Sequence, residues 1–139
     1  MGLASGVAWI LQGIIVQVLK QKVFPHSSRP WVELGRIPGV HLPPDFSPYL
    51  SNSFPSGHTA TAFCMFTLLA LFVPQRGWKI LFFMLACLVG FSRLYLLQHY
   101  FNDVYTGFLI GLLSALIVYF FFYQKILNRK KLKVQDIPR

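Results

Sequence analysis

Residues 104–123 read VYTGFLIGLLSALIVYFFFY and run without a break into the basic segment QKILNRKKLKV of residues 124–134. The first stretch has no Asp, Glu, Lys or Arg and matches the roughly 20 apolar residues that a helix needs to cross a bilayer. Lys and Arg crowded against one end of such a helix hold that end in the cytoplasm. Working outward, three further apolar runs cover residues 2–19, 59–73 and 78–97, and Pro74, Arg76 and Gly77 break the chain between the last two. The expected fold is all-α: a single domain over 1–139, an integral-membrane bundle of about four transmembrane helices. Residues 124–139 are expected to form a basic cytoplasmic tail, and both termini are expected to face the cytoplasm.

Composition agrees with a bilayer solvent. Only 12% of the 139 residues are charged and 55% are hydrophobic, against about a quarter charged in a soluble domain. The net charge of +9 raises nucleic acid as a partner, but eight of the 13 basic residues (Arg76, Lys79, Lys125, Arg129, Lys130, Lys131, Lys133, Arg139) lie between or after apolar runs. That is where cytoplasmic anchoring puts them, so no nucleic acid is expected. Cys64 and Cys87 fall inside apolar runs, where cysteine behaves as a small hydrophobe and neither a disulfide nor a zinc site is expected. Gly107 and Gly111 are four apart on one helix face and favour close packing within the bundle.

Alternation of the spans carries residues 20–57 and the junction 92–103 to the same, non-cytoplasmic face. The proline-rich segment 20–57 is expected to form a cap loop with a short interfacial helix. On that face sit Lys22, Arg29 and Arg93, against the positive-inside preference, and charge near a membrane interior needs a functional reason. Snorkelling to headgroups accounts for any one of them alone. Pro55, Ser56, Gly57 and His58 immediately precede an apolar helix, so Ser56 can cap it and Gly57 can let an anion approach its N–H groups. His99 and Asp103 are four apart, close enough for a carboxylate to hold one imidazole nitrogen and leave the other basic. Two histidines, three cations, a helix N-terminus and a carboxylate on one face meet the needs of phosphoryl transfer. Glu33, Asp45 and Asp103 are too few and too scattered for a two-metal centre, so neither a metal nor another cofactor is expected.

Three motifs then resemble those of the type 2 phosphatidic acid phosphatase superfamily, in order. KxxxxxxRP is met by Lys22, Arg29 and Pro30, PSGH by Pro55 to His58, and SRxxxxxHxxxD by Ser92, Arg93, His99 and Asp103. The resemblance implies His99 as a nucleophile forming a phosphohistidine, Asp103 orienting it, and His58 as general acid. Lys22, Arg29, Ser56, Gly57 and Arg93 would hold the phosphate, with Ser92 in support. His26 and His41 match no motif and are read as loop residues. Integral-membrane members commonly have six spans, so four implies a compact member or one trimmed before Met1. The expected activity is hydrolysis of a lipid phosphate or diphosphate in a bacterial inner membrane, with the site facing the periplasm or exterior. Undecaprenyl diphosphate, phosphatidylglycerol phosphate and a lipid A phosphate are the substrates considered. The rivals are a vanadate-binding, haloperoxidase-like enzyme, disfavoured by the apolar runs, and a non-catalytic membrane protein with an anion or headgroup pocket. Nothing in the sequence fixes an oligomeric state.

Overall fold

The computed structural model describes residues 2–39, 43 and 46–135, with side chains described through residue 123. His41, Pro44 and Asp45 lie outside the described residues, as do residues 136–139 of the basic segment. The described chain has no strand and runs through α1 (Gly2–Val18), a π-helical turn (Leu19–Val23), α2 (Pro30–Leu34), α3 (Gly57–Phe72), α4 (Arg76–Tyr95) and α5 (Phe101–Gln135).

Three stretches are long and apolar enough to cross a membrane, Gly2–Val23, Arg76–Tyr95 and Phe101–Tyr123, and α3 is a shorter apolar helix. The four expected spans are thus three full-length helices and one short one. Each begins or ends a few residues away from its apolar run, because capping groups and not hydropathy set helix ends. Ser56 starts α3 before the apolar residues begin. The backbone of α5 runs on to Gln135, so most of the expected basic tail is a helical extension of the last span.

In lipid, apolar side chains gain little by leaving the hydrocarbon, and helices associate through close packing of small residues. The burial pattern follows that rule. Helix α1 buries Ala4, Ala8, Gln12 and Val16, one residue per turn, and α5 buries Asp103, Gly107, Gly111, Ser114, Ala115 and Val118 along one stripe. Their large apolar residues, such as Leu3 and Phe120, face outward. Helix α3 is central, packed against α1, α4 and α5. At the α3–α5 seam a Cβ on Gly107 would stand 2.5 Å from the Ser56 carbonyl oxygen, and one on Gly111 would collide with the Ala60 carbonyl. Both glycines are needed because the backbones touch. Helix α4 buries only Ala86 and Gly90 and leans on the outside of this pair.

Two connections bring the loops over one end of the bundle. Helix α2 starts with Pro30 at its first turn, where the missing N–H is no loss, and the Trp31 amide donates to the Leu97 carbonyl at 3.2 Å. The Ser56 amide donates to the Asp103 carbonyl at 3.0 Å, tying the start of α3 to the start of α5.

Candidate active site

His99 lies in the short link between α4 and α5, and its position follows from how each helix ends. At the end of α4 the Leu97 amide donates to Leu94 O (3.0 Å) and the Gln98 amide to Arg93 O (3.0 Å). This is the paired-carbonyl C-cap that normally takes glycine in a left-handed conformation, and here Leu97 adopts it with φ 53°. The chain reverses at once and delivers His99 to the helix end. On the other side, Asp103 sits in the first turn of α5 and its Oδ2 accepts the Tyr100 amide at 3.0 Å. A carboxylate three residues into a helix reaching back to the cap amide is half of a capping box.

The two halves meet. His99 Nδ1 faces Asp103 Oδ2 at 3.4 Å, both side chains buried. Such contacts are often long before substrate binds and shorten as charge develops. Asp103 Oδ2 also accepts the Ser53 hydroxyl, and Ser53 Oγ lies 3.5 Å from His99 Nδ1. The opposite ring nitrogen, Nε2, faces Arg29 Nη1 at 3.4 Å. Burial holds the His99 imidazole below its ordinary titration range; Arg29 and Lys20 push the same way, and the bond to Asp103 opposes them. The imidazole is therefore mostly neutral at neutral pH, with Nδ1 toward Asp103 and Nε2 toward Arg29.

Arg29 is spread across backbone carbonyls. Its Nε donates to Ser51 O at 2.8 Å, its Nη1 to Gln98 O at 2.9 Å and Gln98 Oε1 at 3.0 Å, and its Nη2 to Asn52 O at 3.3 Å. The Tyr49 ring lies under the guanidinium, 5.5 Å from Cζ. Lys20, carried by the π-helical turn, donates to Asn52 O at 2.5 Å and Ser53 O at 3.4 Å.

A cavity of about 960 Å³ opens beside these groups, lined by Lys20, Lys22, Arg29, Gly57, His58 and His99 at its charged end. It continues along α1 and α3 past Trp9, Ile10, Ile14, Val16, Thr61 and Ala62. A cationic head and an apolar trough fit an amphiphile with an anionic head group.

Of the residues singled out from sequence, Lys22, Arg29, Gly57, His58 and His99 line this one cavity, and Asp103 backs His99. Ser56 is fully buried; its hydroxyl accepts the Thr59 amide at 3.4 Å and pairs with Thr59 Oγ1 at 2.8 Å, so it caps α3 and does not face the cavity. Arg93 is outside the lining; its Nε donates to Ser92 Oγ at 3.1 Å, and its charge reaches His58 and Arg29. Lys20, Ser53 and Gln98 escaped the sequence reading because none belongs to a motif. The one signal for Ser53 was its place two residues before the Pro55 that opens PSGH.

Comparison with known proteins bears on the family and the fold. The sequence matches the PAP2 superfamily over residues 2–127. It is 38% identical over 95 residues to the bacitracin transport permease protein BcrC of Bacillus licheniformis, an alignment covering 64% of this chain and 46% of that protein. Phosphatidylglycerophosphatase B of Bacillus subtilis is 36% identical over 100 residues, with 63% and 46% covered. The chain thus spans about half the length of these relatives. Among solved structures, LpxE of Aquifex aeolicus superposes with a TM-score of 0.71 at 31% identity, covering 83% of this chain and 64% of that one. The transmembrane PAP2-type phosphatidylglycerolphosphate phosphatase of Bacillus subtilis gives 0.69, also at 31%, with 88% and 59% covered. Membrane-crossing helices, a shared helical architecture and a match along nearly the whole chain lead to one conclusion: this integral membrane protein belongs to the PAP2 superfamily.

Proposed function

We propose that this protein hydrolyses a lipid phosphate or diphosphate through a phosphohistidine on His99. The observation that carries the proposal is an imidazole held at Nδ1 by Asp103 while Nε2 faces the cation-lined end of an amphiphile-sized cavity. The Nε2 lone pair attacks phosphorus as the bond from phosphorus to the lipid oxygen breaks, and His58, in the same cavity, gives its proton to that oxygen. Water then attacks the phosphohistidine; the phosphorus–nitrogen bond breaks, His58 takes the water's proton, and phosphate leaves. Arg29, Lys22 and the Gly57 end of α3 neutralise the phosphate oxygens, a task that needs charge placed before the reaction begins. Arg93, outside the cavity lining, adds its charge from the end of α4, and Ser56 contributes by fixing the N-terminus of α3.

The apolar trough along α1 and α3 supports a lipid tail on the substrate. Relatives named as phosphatidylglycerophosphatase B and lipid A 1-phosphatase support an envelope lipid of that kind. The basic end of α5 supports a cytoplasmic C-terminus and a site on the opposite, periplasmic or exterior face of a bacterial inner membrane.

The test is phosphate release from a panel of lipid phosphates and diphosphates by purified protein in detergent with EDTA present. His99→Ala is expected to lower release by about 1,000-fold or more, and His58→Ala by about 100-fold. Near wild-type release by His99→Ala ends the nucleophile assignment, and a strict need for added divalent metal ends the metal-free one. No release by well-folded protein favours the non-catalytic anion pocket.

A further inference from the structure

Asp103 is asked to serve more than one donor. Its Oδ2 takes the Tyr100 amide and the Ser53 hydroxyl and also faces His99 Nδ1. Ser53 is 1% exposed and held from several directions. Its amide donates to Ser27 O at 3.1 Å, and Lys20 binds its carbonyl and that of Asn52. Asn52 turns the chain with φ 56°, a conformation few residues other than glycine adopt without cost. A loop bent and clamped in this way brings one buried hydroxyl to the oxygen that faces the imidazole.

We infer that Ser53 is a positioning residue that shares Asp103 with His99 and so limits how strongly the carboxylate favours a protonated imidazole. The inference rests on the reading of His99 as nucleophile. A carboxylate whose charge is already engaged by an O–H and an N–H offers less to an imidazolium. Among the described residues, the other charged or titratable groups facing this region are Arg29 from the cap loop, Lys20 and Lys22 from the π-helical turn, His58 from α3, Tyr100 from the α4–α5 link and Arg93 from the end of α4. Of these, Arg29 and Lys20 disfavour a positive charge on His99. Among the described residues Asp103 favours it, so tempering Asp103 keeps the Nε2 lone pair available at neutral pH.

Removing the hydroxyl should return the carboxylate to the imidazole. In Ser53→Ala the titration midpoint of His99 is expected to rise by about half a pH unit or more, and phosphate release to fall about tenfold. The acid limb of kcat/KM should move up with the midpoint; the substrate's own phosphate ionisation is common to both proteins and cancels. Ser53→Cys, a weaker donor of similar size, is expected to shift the midpoint the same way by less, and Ser53→Thr to restore it. The midpoint is read by ¹⁵N NMR of histidine-labelled protein in detergent, with His99→Ala assigning the resonance, and needs no turnover. A wild-type protein that releases no phosphate therefore removes the proposed function, while the midpoints still decide the role of Ser53. Slower release with an unmoved midpoint, or a midpoint that falls, overturns the inference.

Discussion

The site has two walls built in different ways. One is the meeting of the α4–α5 link with the loop before α3, where His99, Asp103 and Ser53 are short, buried side chains tied to backbone or to one another. The other is the end of α1 and the loop after it, where Lys20, Lys22 and Arg29 are long side chains reaching in. Two of these, Lys20 and Arg29, rest on carbonyl oxygens of residues 51–53 and 98. The first wall cannot shift without parting α3 from α5. On the proposed function, the second would exchange carbonyl oxygens for phosphate oxygens. The imidazole proposed as nucleophile is thus held by buried contacts, and positive charge rests beside it on carbonyl oxygens.

The sharpest way to break this contrast is to attack the seam beneath the first wall. Gly111→Val places a Cβ against the Ala60 carbonyl and 2.9 Å from the Cys64 amide nitrogen, both main-chain atoms that cannot step aside. Overpacking of this kind costs about 3 kcal/mol or more. Loss of a monodisperse folded species in detergent is expected by size exclusion and thermal unfolding. Gly77→Ala, which meets open space, should be neutral. A stable, active Gly111→Val would show that the first wall is not rigid.

Next in size is the wall of long cationic side chains. Arg29→Lys keeps the charge and loses the planar fork that spans Ser51, Asn52 and Gln98, so kcat/KM is expected to fall about 100-fold. A loss under about threefold would mean that charge alone matters there and that the geometry of the guanidinium is idle.

A smaller effect concerns protonation. Because burial lowers the His99 titration, the residue binds fewer protons in the fold than a free imidazole does at the same pH. At pH 6.5, where an ordinary histidine is half protonated, His99 should still be mostly neutral, and its protonation should set in only as pH falls further. Measured by ¹⁵N NMR, a midpoint at or above 6.5 would place Asp103 ahead of burial and of the two cations.

How much of this was legible beforehand differs between the walls. The spans, the His99–Asp103 pair and the residues His58, Gly57, Arg29 and Lys22 follow from hydropathy and from motifs of fixed spacing. Local spacing carries that information because each motif lies at a helix end. Lys20, Ser53 and Gln98 were invisible because their roles depend on conformations that spacing does not encode. Lys20 faces the site through a π-helical turn, a rare departure from helical register often found at functional sites. Ser53 arrives through the left-handed Asn52. Gln98 serves Arg29 through both its carbonyl and its amide oxygen, a contact between residues far apart in sequence. Ser56 shows the opposite case: its motif position suggested phosphate binding, and the structure engages its hydroxyl in capping α3.

The smallest effect tests the hinge between the first wall and α4. Leu97 is partly buried and holds φ at 53°, where a non-glycine residue costs about 1 kcal/mol. Its carbonyl accepts the Trp31 amide, so the strained residue also docks α2 over the site. Leu97→Gly removes the strain but frees the unfolded chain and gives up packing, terms of similar size. Its stability should therefore stay within about 1 kcal/mol of wild type. Leu97→Val adds β-branching where the backbone already crowds Cβ, and should cost about 1 to 2 kcal/mol. If the left-handed turn is what aims His99, the valine variant loses phosphate release in excess of its loss of stability while the glycine variant does not. Equal activity in both at matched folded fractions would mean that Asp103 and Ser53 hold His99 without help from the turn.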